Sequence, residues 1–233
     1  MHVRIEIWSD IVCPWCYIGK RRLEKALAGF PHQVEIVWRS YQLDPGAPLE
    51  VTETVAEHLG RKYGGGPEAG QRMIDNVEAV AAEEGLLYRL AEARRANTID
   101  AHRLLHQAHA EGRQGELKEA LLAAYFLRAE DVADHDVLRK VAAEVGLDQA
   151  AVDATLSSDA YRAEVYADIE QAQAYGAGGV PFFVIDAKYG ISGAQPVEVF
   201  RETLDRAWAD AHPTLLMADP AGGEACGPDG CAL

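Results

Sequence analysis

The feature that most constrains this chain is the tetrapeptide Cys13-Pro14-Trp15-Cys16, which lies between a strand pattern and a helix pattern. Apolar and polar residues alternate over residues 3–8, as in a β-strand, and the alternation stops at Ser9-Asp10. After the tetrapeptide, apolar residues recur at helical spacing as far as Phe30. A second strand pattern covers residues 34–39. The sequence therefore predicts a β–α–β unit with both cysteines at its first strand-to-helix turn.

Two cysteines at such a turn are suited to thiol–disulfide exchange, in which a thiolate attacks a disulfide sulfur. A helix N-terminus carries unpaired N–H groups and partial positive charge that favour a thiolate at Cys13, and Pro14 suits the first helical position. Cys16, one turn further, can attack a mixed disulfide formed at Cys13. We therefore expect Cys13 to be the nucleophile and Cys16 the resolving cysteine, more buried and less acidic. Trp15 is expected to flank a binding surface.

Other interpretations of the C-x-x-C pair are half of a zinc site or two inert core cysteines. A structural zinc site needs four ligands, usually as two close-spaced pairs. Cys226 and Cys231 are the remaining cysteines, and they lie in a segment rich in glycine and proline. A Gly-Pro-Asp-Gly turn between them brings them within disulfide range. One hypothesis is a second redox pair that relays electrons to or from Cys13 and Cys16, and the alternatives are a passive disulfide and an incidental metal clip.

The middle of the chain is predicted to be helical after a loop-rich stretch marked by Pro45-Gly46 and residues 64–67. Helix patterns follow at 73–84, 98–111, 116–128, 137–145, 150–156 and 161–175, with Asp136, Asp148 and Asp159 as expected N-caps for the last three. His102, His106 and His109 share one helix face. We favour a solvated or partly packed face over a metal site there, so no metal is predicted. His102 is the histidine placed to point toward an active-site cleft.

Strand patterns return at residues 180–185, followed by a hairpin turn over 186–190 and a short strand at Ile191-Ser192. A last helix is predicted over residues 196–211. Pro181 stands at the start of the first of these strands, a position that tolerates proline. The second half of the chain thus adds a β–β–α unit to the first.

Residues 9–19 and 179–183 resemble the DsbA family of oxidoreductases, most closely its cytosolic, FrnE-like branch. Further likeness lies at residues 41–45, 97–102 and 191–195. The resemblance implies a redox pair at Cys13 and Cys16, with a cis-proline at Pro181. It also implies substrate binding around the cysteines, and the candidate binding residues are Pro14, Trp15, Val180 and Pro181.

The predicted fold class is α/β, a thioredoxin-like fold interrupted by an all-helical insertion. The thioredoxin-like domain is expected to comprise residues 1–45 and 176–212, and the insertion residues 46–175. Residues 213–233 are expected to be a flexible C-terminal tail that carries the second cysteine pair. The order of strand and helix patterns and the resemblance lead to the same arrangement.

A second resemblance leaves an alternative function open. Kappa-class glutathione transferases and 2-hydroxychromene-2-carboxylate isomerases are similar through the Ser-Asp and Val-Pro stretches, but they have a serine where Cys13 stands and they bind glutathione. Because both cysteines are present, we favour a dithiol–disulfide oxidoreductase over a glutathione-dependent transferase or isomerase. A third alternative is a binding or chaperone module that needs neither cysteine. The direction of the redox reaction is left open.

Charge and composition limit the partners. With 22 Lys and Arg against 37 Asp and Glu, the net charge of −15 argues against nucleic-acid and membrane partners. The first residues lack the pattern of a signal peptide, and no apolar run reaches the ~20 residues of a membrane span. We expect a cytoplasmic protein that acts on protein or small-molecule thiols and disulfides and has a thiol redox partner. No cofactor is expected, and glutathione is left open as a co-substrate.

Overall fold

A computed structural model describes residues 2–47 and 53–213. The strands are β1 (Val3–Ser9), β2 (Val34–Ser40), β3 (Phe182–Ile185) and β4 (Tyr189–Ser192). The helices are α1 (Pro14–Leu27), α2 (Val55–Tyr63), α3 (Gly66–Glu83), α4 (Ile99–Ala110), α5 (Gln114–Arg128), α6 (His135–Glu144), α7 (Gln149–Leu156), α8 (Arg162–Ala174) and α9 (Val197–Ala211).

The four strands form one mixed sheet in the order β2-β1-β3-β4. Strand β1 is parallel to β2, with Val3 opposite Val34, and antiparallel to β3, with Ile7 opposite Phe183. Strands β3 and β4 form an antiparallel hairpin. Since both ends of the chain contribute strands to this sheet, helices α2–α8 are inserted between its two halves. The predicted thioredoxin-like fold with an inserted helical region is confirmed.

The sheet is covered on both faces, as its apolar strands require. On one face, α1 and α9 bury Leu23, Phe200 and Leu204 against the strands. On the other face, α8 packs near Trp8, whose indole N–H donates to the backbone oxygen of Asp168 at 2.7 Å. This arrangement holds the end of β1, and therefore the turn that follows it, between packed layers.

Helix α1 also belongs to the core of the inserted region. Tyr17 and Ile18 are fully buried in that core. Ion pairs strengthen the same contact: Arg22 and Lys25 both bind Glu84 at the end of α3, at 2.7 and 2.6 Å. The helix that begins between the two cysteines is thus fixed to the sheet on one side and to the inserted region on the other.

Several helix boundaries differ from the sequence prediction. Helix α2 was expected to be loop, although Thr54 caps it in a capping box with Glu57. Helix α6 is capped by Asp134 rather than Asp136, because the Asp134 side chain accepts from the Asp136 N–H at 2.8 Å. The expected cap at Asp148 is confirmed.

At α8, a turn places Tyr161 at the cap position instead of Asp159. The Asp159 backbone oxygen accepts from the Arg162 N–H at 3.2 Å, which closes that turn before the helix begins. Among the helices of the described residues, none is both long and apolar enough to cross a membrane.

Candidate active site

The two cysteines lie where β1 gives way to α1. Cys13 is the N-cap of α1, in an extended conformation, and Pro14 occupies the first turn. The Cys16 N–H donates to the Cys13 backbone oxygen at 3.0 Å. Cys13 and Cys16 are both free thiols, 2% and 1% exposed. The turn thus presents two neighbouring thiols, as the motif predicted.

The Val180–Pro181 segment faces these thiols. The Cys13 thiol donates to the Val180 backbone oxygen at 3.5 Å, and the peptide bond between Val180 and Pro181 is cis, as the resemblance implied. Helix α1 comes close at Gly19, where a Cβ would lie 3.1 Å from the Pro181 ring. The structure therefore brings two stretches together that are more than 160 residues apart in the sequence.

A cavity of about 630 Å³ opens beside Cys13. Its lining includes Cys13, Pro14, Trp15 and Val180, but not Cys16. Helices α2 and α3 form the opposite wall with mainly apolar side chains, which include Val55, Leu59, Met73, Ile74, Val77 and Val80. Trp15 is 43% exposed, consistent with the expected place at the flank of a binding surface.

Ionisable side chains from three parts of the fold are buried close to the cysteines. Asp10 follows β1, and its carboxylate accepts from the Ile11 and Leu43 N–H groups at 2.7 and 2.8 Å. His102 of α4 lies 3.2 Å from the same carboxylate through Nε2. Lys118 of α5 is fully buried, with its Nζ 3.4 Å from the Ser9 backbone oxygen. Buried polar side chains therefore lie next to the redox motif, and the sequence of the motif alone does not predict them.

The two thiols titrate as a pair because a hydrogen bond joins them. That hydrogen bond and burial raise the pKa of Cys13 well above its ordinary value. Burial also opposes ionisation of Cys16, but the hydrogen bond with Cys13 and the charge of Lys118 outweigh it and lower the pKa of Cys16. The reduced pair thus loses one proton readily and retains the second.

The directions of these two pKa shifts differ from the expected order of acidity. The helix N-terminus was expected to make Cys13 the more acidic thiol, and burial was expected to make Cys16 the less acidic one. Burial does not separate them, because both are almost fully enclosed. Their mutual hydrogen bond raises the pKa of Cys13 and lowers that of Cys16, and the charge on Lys118, the Ser9 hydroxyl and the Asp10 N–H lower the pKa of Cys16 further.

Lys118 was not among the residues singled out from the sequence, although the sequence holds a signal for it. Its position is three and four residues before Leu121 and Leu122, on the apolar face of a helix. A lysine on such a face is seldom fully buried without a partner. A lysine on the apolar face of this helix is therefore a candidate for a functional role.

The histidines on the shared face of α4 contact different groups. His102 binds Asp10 and is fully buried, and it does not line the cavity beside Cys13, so the expected orientation toward a cleft is not found. His106 lies 3.1 Å from an Asp168 carboxylate oxygen and from the Ser40 hydroxyl. Over residues 2–47 and 53–213, no group of three or more metal-binding side chains is found. Cys226 and Cys231 lie outside the described residues.

A mixed four-stranded sheet, an inserted helical region and a C-x-x-C pair at the first strand-to-helix turn together define a DsbA-like thioredoxin-fold protein. The chain belongs to the family described as DSBA-like thioredoxin domain, whose model matches residues 4–205.

Three individual proteins are similar to this chain. The crystal structure of a probable DsbA oxidoreductase, SCO1869 from Streptomyces coelicolor, is 48% identical with a TM-score of 0.85, covering 100% of this chain and 99% of that one. The uncharacterized protein YwbO of Bacillus subtilis (strain 168) is 27% identical over 163 residues, 70% of this chain and 76% of that protein. A 2-hydroxychromene-2-carboxylate isomerase shares the fold, with a TM-score of 0.67 and 14% identity over 89% of this chain and 97% of its own.

Proposed function

We propose that this protein is a dithiol–disulfide oxidoreductase of the FrnE-like branch, which exchanges disulfides with substrate thiols through Cys13 and Cys16. One observation carries the proposal. Cys13 is the N-cap residue of α1 and lines an apolar cavity, and a second thiol, Cys16, lies one helical turn away and titrates together with it. An attacking thiol needs access and a means of losing its proton, and this arrangement supplies both.

Access assigns the two roles. Cys13 lines the cavity and Cys16 does not, so a substrate disulfide reaches the Cys13 sulfur first. The negative charge of the reduced pair is available to Cys13 because a proton can move along the hydrogen bond between the two sulfurs. Cys13 is therefore the nucleophile, even though Lys118 favours the charge on Cys16.

The reaction proceeds in two exchanges. The Cys13 thiolate attacks one sulfur of a substrate disulfide, a Cys13–substrate disulfide forms, and the other substrate sulfur leaves as a thiolate that takes up a proton. The Cys16 thiolate then attacks the Cys13 sulfur and releases the second substrate thiolate. The substrate disulfide gains two electrons and the pair becomes a disulfide. In the opposite direction, the same steps oxidise a substrate dithiol.

Val180 and Pro181 are proposed to bind the substrate together with Pro14 and Trp15. The Val180 carbonyl accepts the Cys13 thiol proton in the reduced protein. When Cys13 enters a mixed disulfide that proton is gone, and the carbonyl is free to accept an N–H from a substrate chain, a form of strand addition. Trp15 and the apolar wall of the cavity would cover a neighbouring apolar substrate group.

The proposed substrates are protein or small-molecule disulfides and thiols, with glutathione as a candidate co-substrate. Each turnover leaves the Cys13–Cys16 pair in the opposite redox state, so continued turnover requires a thiol redox partner that restores it. The apolar cavity favours substrates with an apolar group beside the reacting sulfur.

Insulin reduction by a thiol reductant tests the proposal with the wild type, Cys13→Ser and Cys16→Ser. We expect Cys13→Ser to abolish the catalysed rate. Cys16→Ser should accumulate a mixed disulfide with the substrate, visible as an added mass that reductant removes, because the resolving thiol is absent. A double variant lacking both cysteines serves as the control for uncatalysed reduction.

Two results would count against the proposal in different ways. Equal insulin reduction by wild type and Cys13→Ser would leave a binding or chaperone module as the better explanation. Undiminished turnover of a glutathione conjugate by Cys16→Ser would instead indicate a transferase or isomerase, in which only the first position matters.

A further inference from the structure

Lys118 is a buried cation whose charge acts on both cysteines of the redox pair. It lies on α5 of the inserted region, and its side chain is fully buried. The Nζ atom is 3.4 Å from the Ser9 backbone oxygen and 5.5 Å from the centre of the Trp38 ring. Within residues 2–47 and 53–213, no carboxylate lies at ion-pair distance from it. The Lys118 ammonium group has therefore lost its hydration, and the hydrogen bond that it makes to Ser9 is long.

Packing alone does not explain a lysine at this position. The neighbouring buried residues on α5 are Leu117, Leu121, Leu122 and Tyr125, so an apolar side chain would suit the same core. Transfer of an ammonium group from water into a protein interior is strongly unfavourable unless other charges compensate for it. The compensation must therefore come from the groups that face Lys118.

The facing groups come from each element packed around the lysine. Asp10 follows β1, and Cys13, Cys16 and Lys20 belong to the turn and helix α1. Asp10 and both cysteines favour the charged lysine, while Lys20 opposes it. His102 of α4 donates to the Asp10 carboxylate and is held neutral, because burial lowers its pKa. Asp10 and Lys118 thus offset each other, and a thiolate adds one negative charge.

We propose that Lys118 is a positioning residue for the redox pair, whose buried ammonium holds the negative charge that Cys13 and Cys16 carry after losing their first proton. The inference rests on the proposed function of that pair. Helix α5 of the inserted region thus places the Lys118 charge close to the two cysteines of the thioredoxin-like site.

The consequence for redox chemistry follows from which state carries the charge. The dithiol state ionises and the disulfide does not, so Lys118 stabilises the reduced protein and makes the couple more oxidising. Burial lowers the pKa of Lys118 to about 8. The stabilisation is therefore present between the first ionisation of the thiol pair and about pH 8, and it declines at higher pH as the lysine loses its proton.

The test uses Lys118→Met in the full chain, which keeps most of the side-chain volume and removes the charge. The thiolate of the reduced protein is titrated by its ultraviolet absorbance, and the Cys13–Cys16 couple is equilibrated with glutathione buffers. We expect the first thiol ionisation to move about one pH unit higher, a tenfold loss of thiolate. The equilibrium should shift about tenfold toward the disulfide, or about 30 mV for a two-electron couple.

Two further variants separate charge from packing. Lys118→Arg keeps the charge and should titrate near the wild type. Lys20→Met removes a mostly buried lysine that Glu24 and Glu119 already neutralise, so it should shift the thiol titration much less than Lys118→Met does. An unchanged titration in Lys118→Met, or the same shift in Lys118→Arg, would overturn the inference.

A second comparison keeps the test decisive if Lys118→Met does not fold. Asp10→Asn and the double variant Asp10→Asn/Lys118→Met differ only in the lysine, and the double variant removes both buried charges together. The first thiol of the double variant should ionise about one pH unit higher than that of Asp10→Asn, which is about a tenfold loss of thiolate. Equal titrations of the two variants would refute the inference. None of these titrations needs turnover, so a failure of the proposed function would appear separately in the insulin assay.

Discussion

Asp10 lies three residues before Cys13 in the sequence and forms a buried pair with His102. The His102 Nε2 atom lies 3.2 Å from the Asp10 carboxylate, and neither side chain reaches solvent. Burial lowers the pKa of His102, and the hydrogen bond with Asp10 only partly offsets it. Burial would raise the pKa of Asp10, but His102 and the Leu43 N–H outweigh it and lower that pKa. Near neutral pH, the pair therefore consists of a neutral imidazole and a carboxylate.

This protonation state predicts how stability depends on pH. His102 ionises with a pKa of about 6.5 when unfolded and below that when folded, so the unfolded chain binds more protons between the two values. The free energy of unfolding should fall as pH drops below about 6.5, with a slope of at most about 1.4 kcal/mol per pH unit from this residue. Urea unfolding across this range should show a shallower slope for His102→Gln.

The control for this prediction is His109→Gln, because His109 is exposed on the same helix. It should keep the wild-type slope. Part of the slope should survive in His102→Gln, since burial also lowers the pKa of His58. If His102→Gln and the wild type have the same slope, the buried histidine is not the group that titrates.

At the scale of elements, α2 and α3 cross closely enough to require glycine. A Cβ on Gly70 would overlap the Ala56 carbonyl oxygen, and one on Gly60 would overlap the Gly66 carbonyl oxygen. These contacts join backbone to backbone, so no side-chain movement can relieve them. The same two helices form the apolar wall of the cavity opposite Cys13.

Gly70→Ala should therefore force the two helices apart. We expect a loss of about 1–3 kcal/mol in the free energy of unfolding, the usual cost of overpacking. The Michaelis constant for a disulfide peptide should rise, while the thiolate titration stays unchanged because the cysteines are on another helix. Gly29→Ala, at the exposed end of α1, is the matched control. Wild-type stability in Gly70→Ala would show that the crossing is not limited by these contacts.

The elements also show what the sequence could and could not predict. Strands β1 and β2 and helices α1, α4 and α5 were predicted because their apolar periodicity is continuous. Helix α2 was not, because it is short and lies among glycines and prolines, although the capping box at Thr54 marks its start. Cys13 and Val180 were found through motifs. Lys118 was not found, because it is more than 100 residues from Cys16 in the sequence and the local pattern does not reveal that its charge acts on the pair.

At the scale of the whole molecule, the inserted region and the sheet build the site together. The sheet and α1 supply the cysteines and the Val180–Pro181 segment, while α2 and α3 supply the apolar wall. Helices α4 and α5 supply His102 and Lys118 beneath the cysteines. The inserted region therefore contributes both the apolar wall of the cavity and the buried lysine whose charge acts on the pair.

Cys226 and Cys231 are the candidate second redox pair of the full chain. We propose that Cys226 and Cys231 pass electrons to or from the Cys13–Cys16 pair through a mixed disulfide between the two pairs. About fifteen residues separate the pair from the end of α9, and an extended chain of that length spans up to ~50 Å. That is comparable with the diameter of a domain of this size, so length does not prevent contact.

Deletion of residues 219–233 tests the relay. Steady-state insulin reduction should fall severalfold, because the external reductant loses its route to the active-site pair. A single turnover by pre-reduced protein should keep its wild-type rate, since Cys13 and Cys16 remain intact. The full-length variant Cys226→Ser/Cys231→Ser is the matched control and should behave like the deletion. If both variants retain the wild-type steady-state rate, the second pair takes no part in turnover and the Cys13–Cys16 pair exchanges electrons directly with its partners.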